Sequence, residues 1–412
     1  MSDDPTDLHD DTPAEAAFRA EARAWLDANA PKKGGPDDFA TNGPMDTIDY
    51  VERAKEWQGK LAAAGWACIT WPKEYGGRGG TAAEAAIFAE EQARTGASTG
   101  VFTVGIGMAG PTIIAHGTDE QKQRWLPPLL RGEEVYCQLF SEPGAGSDLA
   151  GLACRAVRDG DEWIVNGQKV WTSGAVHSEL GILVARTDVD QPKHRGITYF
   201  VVDMRQPGFD IRPLRQMTGG AHFNEVFLTD VRIPHANVLG EVNGGWMVAM
   251  TTLANERSAI GGGGVGMGFD RLLDLARRRG VTGDSVVRQG LAEAFTRYEI
   301  LKFTGMRVRS AARAGKTPGG EANSMKLLYA QHLKKLGDLA MAIQGPEGML
   351  NRDDAPEGGA WQQQFLSAPS IRIAGGSDEV QRNIIGERVL GLPPEPRPDK
   401  GVPFRDLLSN NV

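Results

Sequence analysis

Cysteine is scarce: Cys68, Cys137 and Cys154 are the only three in 412 residues. They show neither metal-ligand spacing nor the density of a disulfide-stapled secreted domain, so they read as reduced thiols in apolar or mixed surroundings. No run approaches the roughly eighteen consecutive apolar residues of a membrane span. The acidic start MSDDPTDLHDD has no basic segment followed by an apolar core, which argues against a secretory signal. Positive charge is in deficit too: 45 Lys and Arg against 53 Asp and Glu leave a formal net charge of −8. That balance argues against general binding to nucleic acid or anionic membrane, while permitting a local basic site for a phosphorylated ligand. The expectation is a soluble, cytoplasmic protein. Fixed-period repeats are missing, and so is the strand–helix alternation of a parallel sheet.

What is present has the balance of an ordinary globular chain, 41% hydrophobic and 24% charged, long enough for two or three packed units. Residues 1–11 read as a disordered tail. Thr12-Pro13-Ala14-Glu15 is a capping box with proline at the first helical position, and Phe18, Ala22 and Trp25 continue one apolar face. Further helical patterns cover about 47–64 and 82–94. Thr118 with Gln121 caps another, expected to stop near Pro127-Pro128, and Gly105 to Pro111 reads as a loop. Residues 12–133 are therefore expected to form an all-helical domain. From about 134 the runs become β-like, at 152–158, 162–165, 168–172, 181–186, 197–203 and 225–233. Asp159-Gly160 and Asn166-Gly167 are hairpin signals. Residues 134–242 are expected to form an antiparallel sandwich or barrel. Helical spacing returns at 246–253, 269–278, 286–314 and 322–344, predicting a four-helix-bundle domain over 243–412 in which the two longest helices pair. Its proline-rich end, LPPEPRPDKGVPF, should wrap over the surface. The predicted class is α+β multidomain, in the order helical, β, helical.

The most constrained stretch is Tyr136 to Ser173. FSEPGAGSD is followed at a set distance by NGQKVW and then Thr172-Ser173. Together these resemble the acyl-CoA dehydrogenase family, whose helical–β–helical order also fits nearly the whole chain. The resemblance implies bound FAD, addressed by Phe140, Ser141, Gly146, Ser147, Trp171, Thr172 and Ser173, with Ser147 also near the acyl-CoA. It also implies a second group around the flavin: Arg277, Gln344, Gly345, Ser377 and Glu379. Arg277 matches the arginine of the family's R-x-x-F-G without its phenylalanine, and Gln344–Gly348 matches only half of the glycine-rich contact.

The family's commoner catalytic glutamate sits in a Y-E-G-T-S segment before a final QR. Here that segment is IAGGSDEVQR, and Gly375 stands at the glutamate position. Glu256-Arg257, in TTLANERSAIGGG, instead resembles the pair that supplies the base in the isovaleryl and long-chain members. The implied reaction is α,β-dehydrogenation of an acyl-CoA: Glu256 takes the α-proton, the β-hydride goes to the flavin, and electrons pass to an electron-transfer flavoprotein. Gly375 would keep a backbone N–H for the thioester carbonyl and leave room for a branched or ring-bearing acyl group. Ser147, Arg257 and Gly375 form the expected substrate contacts. A homotetramer or a heterotetramer with a related chain is implied. A partner subunit with little flavin of its own, an oxidase of the same fold and a non-catalytic acyl-CoA binder remain open at this point. GGGGVG (261–266) satisfies a dinucleotide pattern, but helical sequence flanks it on both sides, so it reads as helix packing or a kink.

Overall fold

The computed structural model describes residues 11–40, 47–261, 268–313, 320–351 and 354–407. The expected tail, apart from Asp11, and the glycine run after Gly261 lie outside the described residues. Among the described residues five α-helices come first: α1 (Pro13–Asn29), α2 (Ile48–Ala63), α3 (Ala82–Gln92), α4 (Gly110–His116) and α5 (Asp119–Leu130). The capping box forms as expected, the Glu15 amide donating to Thr12 Oγ1 at 3.3 Å and the Thr12 amide to Glu15 Oε2 at 2.8 Å. Helices α1 and α3 are tied by buried Glu91, which accepts from Arg19 at 3.0 Å and Arg23 at 2.8 Å.

Two expectations fail here, each for a physical reason. Helix α5 runs through Pro127 and Pro128 to Leu130. Each proline forgoes the N–H that would bond the carbonyl four residues back, and the burial of Leu129 and Leu130 that continuing brings offsets this. Gly105 to Pro111 is not a loop, because a π-helical turn over Gly105–Ala109 leads straight into α4. Its glycines serve close packing: a Cβ on Gly105 would meet Leu129 at 2.5 Å, and one on Gly110 would meet Trp71 at 2.0 Å.

Seven strands follow: β1 (Tyr136–Leu139), β2 (Arg155–Asp159), β3 (Glu162–Ser173), β4 (Leu180–Arg186), β5 (Ile197–Asp203), β6 (Phe209–Leu214) and β7 (Phe223–Pro234). They make one sheet in the order β1-β4-β2-β3-β7-β6, with β5 on β4. The pairs β2–β3 and β6–β7 are antiparallel, and a single parallel pairing joins Arg155 to Arg186. The short β1 and the polar, proline-containing β6 escaped the sequence reading. The Asp159-Gly160 hairpin forms, pairing Asp159 with Glu162. The Asn166-Gly167 hairpin does not, since β3 continues through both residues. The Asn166 side chain instead exchanges hydrogen bonds of 3.0 and 2.9 Å with Asp230, and Gly167 is needed because a Cβ would lie 2.7 Å from Cys154 Cα. Strands β4 and β5 are buried almost throughout, which explains their unbroken apolar sequence. Burial raises the Cys137 and Cys154 thiols to about 12 and about 11, keeping them protonated and inert.

The last helices are α6 (Gly245–Gly261), α7 (Phe269–Arg278), α8 (Ser285–Arg313), α9 (Gly320–Gln344), α10 (Ala360–Ile371) and α11 (Asp378–Ile384). Helices α8 and α9 are neighbours as expected, linked by the Glu293–Lys335 ion pair. Leu272, Leu275, Leu291, Leu336, Ile343 and Trp361 form their shared core with α7 and α10. The proline-rich end does wrap back: the Phe404 amide donates to the Gln191 carbonyl at 2.9 Å and the Arg405 amide to Val189 at 3.1 Å. Tertiary contacts divide the chain into two compact units. One comprises 1–138, 173–182 and 201–206; the other comprises 139–172, 183–200 and 207–412. Every site residue named above except Ser173 belongs to the second.

On α9, His332 is 2% exposed and neither ring nitrogen has a hydrogen-bond partner among the described residues. Burial, and then the Arg297 charge, lower its pKa from 6.5 to about 4. The folded state therefore binds this proton less readily than the unfolded chain. Its contribution to stability is full above the unfolded value and is lost as pH falls from 6.5 towards 4. Thermal melts at pH 7 and pH 5 should show wild type losing about 1–2 kcal/mol more than His332→Leu across that interval; equal losses would remove His332 as the cause.

Candidate active site

The site is built outward from a buried ion pair. After β1 the chain turns so that Glu142 and Ala145 exchange both backbone hydrogen bonds at 3.0 Å. Lys169, fully buried on β3, donates to Glu142 Oε1 at 2.7 Å and to the Phe140 carbonyl at 3.0 Å. The Glu142 carboxylate also accepts from the amides of Ala153 at 2.7 Å and Cys154 at 2.9 Å. A buried pair is tolerable when each charge is opposed and further hydrogen bonds support it, as the Phe140 carbonyl and the two amides do here. The Val170 amide donates to the Ser141 carbonyl at 2.9 Å, so the two halves of the sequence motif lie side by side.

This turn presents Gly146 and Ser147 outward, and a Cβ on Gly146 would meet nothing within 4 Å. The next residue, Asp148, is held by Lys193 at 2.8 Å, and Lys193 by Asp399 at 2.6 Å. Behind them the Arg186 guanidinium donates to the carbonyls of Ala150 at 2.6 Å and Lys193 at 2.7 Å, and lies 3.9 Å from the Phe404 ring centre. The C-terminal strap thus braces the loop that carries Ser147.

Beyond Lys169, β3 delivers three unlike neighbours. Trp171 is 60% exposed at φ +60°, a backbone conformation uncommon for a bulky residue. Thr172 is fully buried, and its hydroxyl has no partner among the described residues. Ser173 is exposed. An indole held in solvent beside an orphaned hydroxyl suits a flat aromatic ligand with a polar edge, and so these residues fit a flavin ring.

A chain of contacts leads from this motif to the expected base. The Phe140 ring meets Tyr199 edge-on at 5.8 Å, and the Tyr199 hydroxyl lies 3.0 Å from Thr252 Oγ1. Thr252 and Glu256 are four residues apart on α6 and share a face. Glu256 is half-buried. The Arg257 side chain lies outside the described residues. Gly375 and Gly376 adopt φ values of +63° and +87°, which disfavour any side chain there. Buried Gln381 donates to the Gly375 carbonyl at 2.9 Å, and Lys326 to the Gly376 carbonyl at 2.5 Å. Burial lowers the Lys326 pKa, with Asp378 and then Glu256 opposing that shift.

The remaining expected flavin contacts divide. Ser377 caps α11 through the Val380 amide at 3.3 Å, and Glu379 is exposed beside Arg382 at 3.2 Å. Arg277 stands in the last turn of α7 and Gln344 and Gly345 at the end of α9, two regions joined by the Arg279–Glu347 ion pair. Arg277 is exposed, 3.5 Å from Asp274. Gln344 is buried, accepts from Gln362 at 3.0 Å and has an Nε2 without a partner among the described residues. Sequence reasoning missed Glu142, Lys169, Thr252, Lys326 and Gln381 as organising residues. The available signals were a lysine amid the β-like NGQKVW and another amid the apolar SMKLLYA.

Replacing Glu142 by Gln should leave Lys169 buried without its counter-charge, destabilising the protein by about 3–5 kcal/mol and releasing flavin on desalting. Adding Lys169→Met should recover most of the melting temperature but not flavin retention. A single variant that matches wild type in both readouts would contradict this role for the pair.

Comparison with known proteins supplies the family. Family models described as "Acyl-CoA dehydrogenase, N-terminal domain", "middle domain" and "C-terminal domain" match residues 12–133, 137–231 and 243–390. The chain is 42% identical over 385 residues to acyl-CoA dehydrogenase IpdE1 of Mycobacterium tuberculosis, covering 92% of this chain and 98% of that relative. Among solved structures it is similar to the "Tcur3481-Tcur3483 steroid ACAD" (TM-score 0.80, 31% identity, 93% of this chain and 99% of that one). It is also similar to the ChsE4-ChsE5 complex from Mycobacterium tuberculosis (TM-score 0.74, 32% identity, 93% and 99%). With all three domains matched and a 42% identical relative spanned almost end to end, this chain belongs to the acyl-CoA dehydrogenase family of oxidoreductases.

Proposed function

We propose that this chain carries out FAD-dependent α,β-dehydrogenation of an acyl-CoA with a branched or ring-bearing acyl group, giving the trans-2-enoyl-CoA. The observation that carries the reading is a positive-φ Gly375 without a side chain, together with a half-buried Glu256 one turn along α6 from the Thr252–Tyr199 contact that leads back to Phe140. Phe140, Ser141, Gly146, Ser147, Trp171, Thr172 and Ser173 would hold the flavin ring region, with Ser377 and Glu379 near it. FAD supplies the acceptor for the β-hydrogen, which leaves as hydride. Glu256 takes the α-proton onto its carboxylate. Such a proton is too weakly acidic unless the thioester carbonyl is polarised, and the Gly375 N–H, oriented by its glycine backbone, is the donor this chain offers. Having no Cβ, Gly375 also leaves space beside the α-carbon, and similarity to a steroid ACAD supports a ring-bearing group. Ser147 and Arg257 complete the proposed substrate contacts.

The division into domains at 12–133, 134–242 and 243–412 and an electron-transfer flavoprotein as electron acceptor belong to the same proposal. So does a cytoplasmic location, consistent with the lack, among the described residues, of a helix long and apolar enough to cross a membrane. A tetramer is proposed, with Arg277, Gln344 and Gly345 reaching the flavin of a neighbouring subunit. Likeness to the ChsE4-ChsE5 complex favours a related second chain as that neighbour. Glu256→Gln should retain flavin and lose about 10²–10⁴-fold in turnover with acyl-CoA. Wild-type rates in this variant would move the base elsewhere.

A further inference from the structure

Strand β2 pairs with β4 only where Arg155 meets Arg186. Beyond that point the chain after β4 turns away, and the Thr187 and Asp188 amides both donate to the Gly196 carbonyl, at 2.9 and 3.2 Å. Gly196 is required there, since a Cβ would lie 1.9 Å from the Asp188 carbonyl oxygen. The divergence leaves a cavity of about 310 Å³ beside β2, with every wall in the second compact unit. The wall made by Thr187 and Asn243 is fixed: the Thr187 hydroxyl donates to Asn243 Oδ1 at 2.6 Å, and the Asn243 amide to Thr198 Oγ1 at 2.8 Å. Three arginines line this space against a single carboxylate, Asp188. None of the three forms an ion pair among the described residues, although acidic residues outnumber basic ones in the chain. Arg155 is exposed, and its side chain has no partner among the described residues. Arg158 donates to the Gly160 carbonyl at 3.0 Å. Arg186 is 1% exposed; its terminal nitrogens reach only carbonyls, and its Nε has no partner among the described residues. A guanidinium buried among neutral partners lacks the counter-charge that would offset its desolvation. Burial lowers its pKa to about 10 despite the charges of Glu142, Asp148 and Asp188.

We propose that this cavity binds the phosphate of a small phosphorylated organic molecule, held by the exposed Arg155 and Arg158 and the buried Arg186. Three guanidinium groups exceed what one carboxylate can engage, whereas a phosphate monoester brings roughly two charges and three acceptor oxygens that match their planar forks. Val157 and Val242 add exposed apolar surface beside these donors, which suits an organic ligand over a bare ion. The site does not depend on the catalytic reading above. Two sources offer the same chemistry: a free nucleotide, and the nucleotide end of a CoA thioester. If Arg186 were only structural and the outer arginines ordinary surface charges, no saturable binding would occur here.

The test is calorimetric titration of the purified full-length protein with ADP at fixed ionic strength. Wild type should bind ADP saturably. Arg155→Gln should weaken binding about 10- to 100-fold, the loss of one charged hydrogen bond, and Arg155→Lys should recover part of it. Because Arg155 is exposed, both variants should melt at the wild-type temperature. Arg212→Gln, which removes an exposed arginine from β6, should bind ADP as wild type does. Repeating the titration with saturating CoA separates the sources. Suppression assigns the cavity to the nucleotide end of CoA, and undiminished ADP binding assigns it to a free nucleotide. Absence of saturable binding, or binding that Arg155→Gln alters no more than Arg212→Gln does, would overturn the proposal.

Discussion

A lysine ammonium buried on β3 must be neutralised where it lies, and Glu142 is the residue that does so. That requirement fixes more than one ion pair. Lys169 reaches the Phe140 carbonyl and Glu142 reaches the Ala153 and Cys154 amides, so the ends of the loop from 140 to 154 are tied to one point. The small residues between them can face outward without support of their own, as Gly146 and Ser147 do. A loop without this clamp would have to be ordered anew each time a ligand bound, and that ordering costs affinity. The strap made by Asp399 to Phe404 braces the same loop from the far side through Lys193 and Arg186.

The second buried lysine has a different task. Lys169 is satisfied by a carboxylate with no proposed chemical role, and it organises backbone. Lys326 donates to the Gly376 carbonyl, and burial lowers its pKa. Gly375 and Gly376 adopt positive φ without side chains of their own, and Lys326 and Gln381 anchor this segment through its carbonyls.

The helical–β–helical order was legible because periodicity and capping are local: Thr12 and Glu15, or Thr118 and Gln121, determine a helix start by their own hydrogen bonds. Misreadings came where tertiary packing overrode local preference. Pro127 and Pro128 sit inside a helix because Leu129 and Leu130 are buried there, and Gly110 is a glycine because Trp71 leaves no room for a Cβ, not because the chain turns. Asn166-Gly167 looks like a turn, yet its partners are Asp230 and Cys154, distant in sequence. The candidate site followed the same division. Motif residues from 140 to 173, Glu256 and Gly375 could be named from resemblance. Lys169 and Lys326 could not be assigned tasks, because what makes a buried lysine informative is the set of groups around it.

The central claim is that this chain holds its own flavin and, with Glu256 as base, oxidises an acyl-CoA. Anaerobic titration of the purified protein with straight, branched and steroid-derived acyl-CoA thioesters, followed by flavin absorbance, tests it most directly. The account predicts a yellow protein that is bleached by a branched or ring-bearing thioester and not when Glu256 is replaced by Gln. A colourless protein, or flavin that no acyl-CoA in the panel reduces, would contradict it.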